Sequence, residues 1–328
     1  MLVQCRTRRR QSPRVANLLD PLTSLVSTQY FHRFNTTNMM NPRVSVVLPV
    51  LNAATYLRAA LRSLSEQSFS DYELVVIDDG STDQSGAIID AAAQLDPRVR
   101  VIRNKMSIGM GHVFNLGLFA AKGEYVARMD GDDVAHPERL ARQVAFLDAH
   151  PEVVVVGAQV ELIDVSGSVV GTRSYLVDDG PLRRAMARVS PFAHPVTMFR
   201  RELAVHLGGY DVRYAPAEDL HLWVRLAKCG LMANLPDVLL RYRVHDGSVT
   251  ARQGLRMQWQ SLRVRLLAAR RHGLQMNRVD AFLAVAQLGA APLPYRLRMA
   301  LFEWYRRSSQ GVARLPTLPT SAGWLPGE

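Results

Sequence analysis

The stretch Arg128-Met129-Asp130-Gly131-Asp132-Asp133 decides how the rest of this sequence is interpreted. It follows the short apolar run 125–127 and precedes a helical pattern that opens at Pro137, so three carboxylates are predicted to leave a strand end and enter a loop. Like charges this close raise one another's pKa, and a hard divalent cation bound through carboxylate oxygens removes that penalty. Taken alone, the stretch is equally consistent with a solvated acidic turn.

Strand and helix patterns alternate on the amino-terminal side of this loop. The run 44–50 is rich in β-branched valine, as expected of a strand covered on both faces, and the segment 53–67 carries apolar residues at helical spacing. Further strands are predicted at 74–77, 99–102 and 124–129, and further helices at 83–95 and about 110–121. This alternation predicts an α/β fold with an open, doubly wound, mostly parallel sheet, which binds ligands at the carboxyl ends of its strands.

Two more acidic motifs lie at element ends. The segment 74–83 reads Leu-Val-Val-Ile-Asp-Asp-Gly-Ser-Thr-Asp, and its paired aspartates can accept hydrogen bonds from a ribose or a base; a turn that caps the strand is the alternative. The segment 217–220, Ala-Glu-Asp-Leu, opens a helix with Trp223 on its apolar face. The dipole of that helix is expected to keep the carboxylates ionised, as a general base requires, although simple capping charges would look the same.

In order and spacing, these motifs resemble those of the family 2 glycosyltransferases of the GT-A fold over residues 43–250. Members have a first strand that ends near a proline and an asparagine, which match Pro49 and Asn52 here. Their second strand ends in Asp-Asp-Gly-Ser-x-Asp and their fourth in Asp-x-Asp-Asp, and a Glu-Asp pair follows later. The resemblance implies an inverting enzyme that moves a sugar from a nucleotide-diphospho-sugar, a UDP-sugar by preference, to a hydroxyl of a glycan or lipid-linked acceptor. Cell-surface polysaccharide synthesis is the expected process.

The resemblance also implies roles for individual residues. Asp219 is expected to be the catalytic base, which removes the acceptor hydroxyl proton while that oxygen attacks the anomeric carbon from the face opposite the leaving group. No second carboxylate nucleophile is then needed, unlike in retaining glycosidases. Asp83 is expected to cap its helix. Contacts with the nucleotide-sugar are expected from Pro49, Asn52, Asp79, Asn115, Arg128 and Asp130.

A divalent metal, Mn²⁺ or Mg²⁺, is the expected cofactor. Asp132 is predicted to be the more direct ligand and Asp130 a second one, because both ions favour oxygen ligands and keep positions open for the diphosphate. Asp133 is expected to support the turn. His245, in a segment that resembles the Tyr-Arg-x-His-x-x-Ser ending of the family, is a candidate ligand of the metal or a phosphate, and a surface histidine is the alternative.

Composition and charge distribution restrict which other classes of function this sequence can have. The 328 residues are 48% hydrophobic and 21% charged, which is ordinary for a globular protein. Residues 41–250 carry 22 basic and 25 acidic side chains, a net charge of −3, whereas residues 1–40 carry +5 and residues 251–328 carry +9. Basic ends suit an anionic membrane surface, and no RNA-binding or zinc-finger motif accompanies them, so nucleic acid is a disfavoured partner.

The sequence predicts three regions. Residues 1–40 lack periodicity and are predicted to be a disordered basic extension, with Met39 and Met40 as candidate starts. Residues 41–250 are predicted to form the GT-A domain, with a nucleotide-binding half at 41–135 and an acceptor half at 136–250 that includes a hairpin at 160–174. Residues 251–328 are predicted to be a basic helical region, with Arg-rich helices at 251–272 and 294–307.

A cytoplasmic protein, soluble or peripheral at the inner face of the membrane, is expected. Cys5 and Cys229 predict no disulfide framework, which fits a reducing compartment. No signal-peptide pattern follows the basic start, and the longest apolar stretch near the end, 281–293, is shorter than the roughly 20 residues that span a bilayer.

Three other functions are less consistent with the sequence. A dinucleotide oxidoreductase would carry Gly-x-Gly-x-x-Gly after the strand 44–50, and it is absent. A nucleotide-sugar pyrophosphorylase would have a Gly-rich basic turn where 51–54 reads Leu-Asn-Ala-Ala. A non-catalytic membrane or nucleic-acid adaptor would not need carboxylates at all three motifs.

Overall fold

The computed structural model describes residues 41–245 and 253–289, with side chains to residue 285. The predicted extension 1–40 and the predicted helix 294–307 lie outside these residues. The elements in chain order are β1 Val44–Val50, α1 Ala54–Ser65, β2 Tyr72–Asp78, α2 Ser85–Leu95, β3 Val99–Arg103, α3 Met110–Ala120, β4 Tyr125–Arg128, β5 Val134–Ala135, α4 Arg139–Ala149, β6 Val153–Ile163, β7 Val169–Arg173, α5 Asp179–Ala185, β8 Met198–Arg200, α6 Arg201–His206, α7 Glu218–Leu226, β9 Leu231–Arg243, α8 Gly254–Arg271 and α9 Arg278–Gly289.

One sheet holds the described strands together. Its order is β3-β2-β1-β4-β8-β6-β9-β5, with β7 beside β6. The first four strands are parallel, and the chain moves outward from β1 to β3 before β4 returns to the other side of β1. This reversal opens a crevice at the carboxyl ends of β1 and β4, which is where open α/β sheets bind their ligands. The predicted doubly wound α/β architecture is confirmed.

The second half of the sheet is mixed. β8 runs antiparallel to β4 and to β6, whereas β9 runs parallel to β6 and antiparallel to the short β5. β6 and β7 form the predicted hairpin, and Gly167 lies in its turn with a φ of 87°. β9 ends at Arg243 beside the acidic loop, because its residues 240 and 241 pair with β5, which directly follows that loop.

Apolar side chains cover the sheet on both faces. On one face, Leu57 of α1, Ile88 of α2 and Leu140 of α4 belong to one buried cluster with the β1 side chains Val46 and Leu48. The other face is covered by α3, α7 and α8, through residues such as Phe114, Trp223 and Val264. α8 therefore packs against the body of the fold through Val264 and Ala268. No described helix combines the length and the apolar character needed to span a membrane.

The predicted boundaries of α1, α2 and α3 are correct to within two residues, whereas α8 begins at Gly254, three residues after its predicted start at 251. α2 begins at Ser85 rather than at 83 because the Asp83 carboxylate lies before the helix and accepts hydrogen bonds from two backbone amides. These are the N–H of Ser85 at 2.9 Å and the N–H of Ala54, the first residue of α1, at 3.0 Å. Asp83 thus caps the amino end of α2, as expected, and also accepts from the first amide of α1.

Gly80 lets two loops meet at the carboxyl edge of the sheet. Its φ is 79°, and a Cβ at this position would lie 2.8 Å from backbone atoms of Met106. We expect Gly80→Ala to lower the free energy of unfolding by more than about 1 kcal/mol, since both the backbone conformation and the contact oppose a side chain. Denaturant unfolding measures the change.

Gly86→Ala is the matched control. Gly86 lies in α2, and the atom nearest to an added Cβ would be 3.8 Å away. Because alanine favours helix more than glycine does, the control should leave the free energy of unfolding unchanged or raise it by up to about 1 kcal/mol. Equal loss of stability in both variants would contradict the proposed loop contact.

Candidate active site

A cavity of about 600 Å³ opens at the crevice beside the acidic loop. Asp130 and Asp132 enter it from the end of β4, and Glu218 and Asp219 enter it from the first turn of α7. The two acidic motifs are about 90 residues apart in the sequence, and the fold places both of them on one cavity. Side chains proposed for metal binding and for proton transfer therefore face the same cavity.

The acidic loop is a dense cluster of oxygen ligands. Asp130, Asp132 and Asp133 each offer one carboxylate oxygen, and these atoms lie within 4.8 Å of one another. Nε2 of His245 lies 2.9 Å from Oδ2 of Asp132, and the His245 ring packs at 5.5 Å from the ring of Tyr56. The structure therefore brings His245 to the predicted metal ligand, although it is not among the residues that line the cavity.

Burial makes the cluster electrostatically costly. Burial and the neighbouring charges of Asp132 and Asp130 hold the pKa of Asp133 well above its usual range. Burial also raises the pKa of Asp130, although the ion pair with Arg128 opposes that effect. Oδ2 of Asp133 is buried and has no hydrogen-bond partner among the described residues. A divalent cation would relieve these charges, so the residues present fit a metal site.

Arg243 holds the acidic loop in place, and the sequence analysis missed it. Its backbone N–H donates to Oδ1 of Asp133 at 2.9 Å, and its Nε–H donates to the backbone oxygen of Asp132, also at 2.9 Å. The guanidinium lies over the ring of Tyr56 at 4.4 Å. The only sequence signal for this role is its position two residues before His245. Asp133 supports the turn as expected, because its carboxylate anchors the end of β9.

Arg128 is a buried charge beside the cavity. Its guanidinium pairs with Asp130 and lies 4.8 Å from the centre of the Phe114 ring, while its Nε has no described hydrogen-bond partner. The buried Arg139 donates from Nη2 to the backbone oxygen of Arg128 at 2.6 Å. Arg128 therefore forms an ion pair and also faces the cavity, and its expected contact with the nucleotide-sugar stays a prediction.

The two carboxylates of α7 differ in their surroundings. Oδ1 of Asp219 accepts a hydrogen bond from the N–H of Leu220 at 2.7 Å, and burial nevertheless raises the pKa of Asp219. The helix terminus was expected to favour the ionised form of Asp219, but the cost of desolvation is larger than that effect. Burial, with the charge of Asp219, raises the pKa of Glu218 to about 7, and Oε2 of Glu218 has no described partner. A higher pKa makes Asp219 the stronger proton acceptor.

The predicted nucleotide-binding residues at the ends of β1 and β2 mainly organise loops. Asn52 is exposed, has a φ of 51° and accepts a hydrogen bond from the N–H of Thr82 at 2.8 Å. Pro49 is buried within β1. Asp79 is buried, and its carboxylate accepts hydrogen bonds from Asn104 Nδ2, Ser107 Oγ and the N–H groups of residues 108 and 109. These three residues do not line the cavity, and their contacts with a nucleotide remain a prediction.

Asn115 also acts through another residue. Its amide Nδ2 donates to the backbone oxygen of Tyr210 at 2.7 Å, and its Oδ1 accepts from the Tyr210 N–H at 2.8 Å. The Tyr210 hydroxyl lies 3.0 Å from Nε2 of His194, which lines the cavity. Burial and the Arg128 charge hold the pKa of His194 well below its usual range, so the imidazole is neutral. Asn115 therefore positions Tyr210, whose hydroxyl contacts His194 at the wall of the cavity.

Helix α8 supplies one wall of the cavity, which the sequence analysis did not foresee. The side chains of Arg256, Met257 and Ser261 face the cavity. No local pattern indicates this, because the contact depends on how α8 packs against α7. The wall adds the positive charge of Arg256, which opposes the raised pKa of Glu218.

A model of glycosyl transferase family 2 matches residues 45–208. The amylovoran biosynthesis glycosyltransferase AmsE of Erwinia amylovora is 34% identical over 200 residues, which cover 60% of this chain and 74% of AmsE.

Two solved structures are similar in fold. TarS 1-349 of S. aureus, in complex with UDP-GlcNAc, has a TM-score of 0.59 and 21% identity, with 83% of this chain and 78% of TarS 1-349 covered. The mannosyltransferase PcManGT of Pyrobaculum calidifontis, in complex with GDP-Man and Mn²⁺, has a TM-score of 0.57 and 22% identity, with 85% of this chain and 78% of the PcManGT chain covered. These likenesses confirm the predicted GT-A type of α/β fold.

Glu218 should make stability depend on pH. Its pKa is about 7 in the folded chain and near 4.5 when exposed, so the folded state binds the proton more tightly. The contribution of Glu218 to the free energy of unfolding is fully present below pH 4.5 and is lost as the pH rises through 7. The total loss is on the order of 1 to 3 kcal/mol. Glu218→Gln should therefore gain stability over the parent chain between pH 5 and 8, measured by urea unfolding at each pH.

Glu202→Gln, at an exposed position in α6, is the control and should give the same pH dependence as the parent chain. A Glu218→Gln variant whose stability relative to the parent does not change with pH would show that Glu218 is ionised with an ordinary pKa.

Proposed function

Because the chain belongs to glycosyl transferase family 2, we propose that it transfers a sugar from a nucleotide-diphospho-sugar to a hydroxyl of a glycan or lipid-linked acceptor, with inversion at the anomeric carbon and with a divalent metal. The enzyme class is that of a glycosyltransferase. A UDP-sugar is the preferred donor, and the proposed process is the synthesis of a cell-surface polysaccharide. The AmsE relative, named for amylovoran biosynthesis, is consistent with that process.

One observation carries this proposal. The cluster of Asp130, Asp132 and Asp133 and the carboxylate of Asp219 belong to one cavity, with the Arg128 charge beside them. Glycosyl transfer needs a positive site for the departing diphosphate and a proton acceptor for the attacking hydroxyl. The acidic loop, with a bound cation, would supply the positive site, and Asp219 on α7 would accept the proton.

The acidic loop would hold the metal. Asp132 and Asp130 are the proposed ligands, and His245 is a third candidate because its Nε2 already lies beside Oδ2 of Asp132. Mn²⁺ or Mg²⁺ would supply positive charge that stabilises the leaving diphosphate. Arg243 would keep the ligands in place, because it fixes the loop through the backbone of Asp132 and the carboxylate of Asp133. PcManGT was solved with Mn²⁺, which agrees with this choice of ion.

The nucleotide would lie over the carboxyl ends of β1 and β2. Pro49 and Asn52 are proposed to contact the base and ribose, and Asn52 is exposed where such a contact would form. Asp79 would act by holding the loop 104–109, since its carboxylate already accepts hydrogen bonds from four donor groups of that loop. TarS was solved with UDP-GlcNAc, which supports a nucleotide-diphospho-sugar as the class of donor.

Asp219 would be the general base. The acceptor oxygen forms its bond to the anomeric carbon while the bond from that carbon to the diphosphate oxygen breaks, and the hydroxyl proton moves to the Asp219 carboxylate. The hydrogen bond from Leu220 orients one oxygen of Asp219 and leaves the other available to the cavity. Asn115, through Tyr210, and Arg128 would position the groups around the transferred sugar.

Asp132→Ala tests the metal site. If Asp132 ligates the ion that also binds the diphosphate, the variant should lose transfer and lose Mn²⁺-dependent UDP binding while its fold stays intact. Isothermal calorimetry with UDP, with and without Mn²⁺, measures the effect. Asp71→Ala is the control, since Asp71 is exposed at the amino end of β2, opposite the site. Unchanged Mn²⁺-dependent UDP binding in Asp132→Ala would contradict the assignment.

Asp219→Asn tests the base. Loss of a positioned general base typically lowers the rate by about a hundred- to ten-thousand-fold, so turnover should fall by that factor. Donor affinity should change little, because Asp219 is proposed to contact the acceptor. Initial rates and donor calorimetry separate the two effects, with Asp71→Asn as the matched control. A comparable loss of donor affinity would move Asp219 from the chemistry to the donor site.

A further inference from the structure

Helix α8 has three different faces. One face lines the cavity, and a second face is buried in the core through Leu262, Val264 and Ala268. The third face is exposed and apolar: Leu255 is 60% exposed and Trp259 53%, and Leu266 lies two turns further on. Positions 255, 259 and 266 share one side of a helix because four and seven residues approximate whole turns.

The next helix continues this surface. α9 packs against α8 and turns Asp280 and Ala284 inward. Its exposed side chains are apolar as well, with Val279, Phe282 and Val285 at helical spacing and Phe282 70% exposed. We call the exposed apolar residues of α8 and α9 together the outer face. Single exposed apolar side chains are ordinary on a protein surface, but two adjacent helices that both present them are not.

Positive charge surrounds the outer face. Residues 253–289 contain six arginines and one acid, Asp280, which is buried and paired with Arg188. Four of the arginines are exposed away from the cavity, Arg263, Arg270, Arg271 and Arg278, whereas the exposed Arg256 belongs to the cavity wall. Lys228 is exposed near the end of α8, and its charge, with those of Arg225 and Arg271, adds to burial in lowering the pKa of His272. The surroundings of the outer face are therefore strongly cationic.

Charge and apolar exposure together select the partner. Exposed Trp, Phe and Leu side chains flanked by arginines are typical of helices that lie in the plane of a membrane interface, where the apolar side chains enter the lipid and the cations meet anionic headgroups. A nucleic acid would satisfy the arginines, but it would gain little from Leu255, Leu266 or Val279. The observations thus favour lipid over nucleic acid.

We propose that the outer face of α8 and α9 docks the enzyme on an anionic lipid bilayer. The docked surface consists of Leu255, Trp259 and Leu266 of α8 and Val279, Phe282 and Val285 of α9, with the exposed arginines around them. Because the opposite face of α8 lines the cavity, docking would place the cavity close to the bilayer. A lipid-linked acceptor could then reach Asp219, a consequence that rests on the proposed function.

Vesicle flotation with the full chain tests the docking. We expect binding to vesicles of phosphatidylcholine with about 30% phosphatidylglycerol at low salt, weaker binding at physiological salt where the Debye length is about 8 Å, and little binding to pure phosphatidylcholine. The double variant Trp259→Ser/Phe282→Ser should lower the affinity for anionic vesicles by about tenfold or more. The double variant Arg270→Gln/Arg271→Gln should lower it to a similar extent. Circular dichroism and thermal melting check that each variant folds.

Matched controls come from exposed residues outside the outer face. Phe119→Ser on α3 removes an exposed aromatic side chain, and Arg58→Gln/Arg62→Gln on α1 removes two exposed arginines. Both controls should bind vesicles as the parent chain does. Quenching of tryptophan fluorescence by brominated lipids should be present in the parent chain and smaller in Trp259→Phe, because Trp259 would enter the bilayer.

Several results would overturn the docking. These are equal flotation with neutral and anionic vesicles, no flotation at low salt, an equal loss of binding in the controls, or full binding in the outer-face variants, which would assign binding to another part of the chain. Binding to RNA that the apolar variants do not weaken, with no vesicle binding, would identify a nucleic-acid surface instead. Mn²⁺-dependent UDP binding is measured in parallel, so a failure of the proposed function is distinguished from a failure of docking.

Discussion

Three carboxylates are held together at the end of β4, and the remainder of the site follows from the cost of that arrangement. Burial and mutual repulsion raise the pKa of Asp130 and of Asp133, so the cluster needs positive charge in order to stay ionised. Arg128 supplies part of that charge from inside the protein. A divalent cation would supply the rest and would also bind a diphosphate.

The fold explains why the cluster can persist. β9 pairs with the short β5 that follows the loop, and Arg243 at its end bonds to the backbone of Asp132 and to the carboxylate of Asp133. The acidic loop is therefore fixed by a strand that lies more than 100 residues further along the chain. The proposed base enters the same cavity on α7, whose first turn is buried beneath α8 and the core around Trp223. Separate elements thus carry the cation site and the base.

Local patterns in the sequence were sufficient for the fold and for the motifs. Apolar strands and helices at regular spacing predicted the doubly wound sheet, and the acidic motifs at strand and helix ends singled out Asp130, Asp132 and Asp219 as candidate site residues. Contacts across long sequence separations were not predictable. Arg243 on the loop, Asn115 on the Tyr210 backbone and α8 on the cavity depend on tertiary packing, which no window of sequence records. The raised pKa of Asp219 was missed for the same reason, since burial outweighs the helix dipole.

The central claim is that the acidic loop holds a divalent cation in the cavity that Asp219 faces. Crystals grown with Mn²⁺ and UDP, with diffraction data collected at the manganese edge, test it most directly. The account predicts one anomalous peak within about 2.3 Å of a carboxylate oxygen of Asp132, in contact with the diphosphate of UDP. UDP bound in the cavity without a peak at the acidic loop, or a peak elsewhere in the chain, would contradict it.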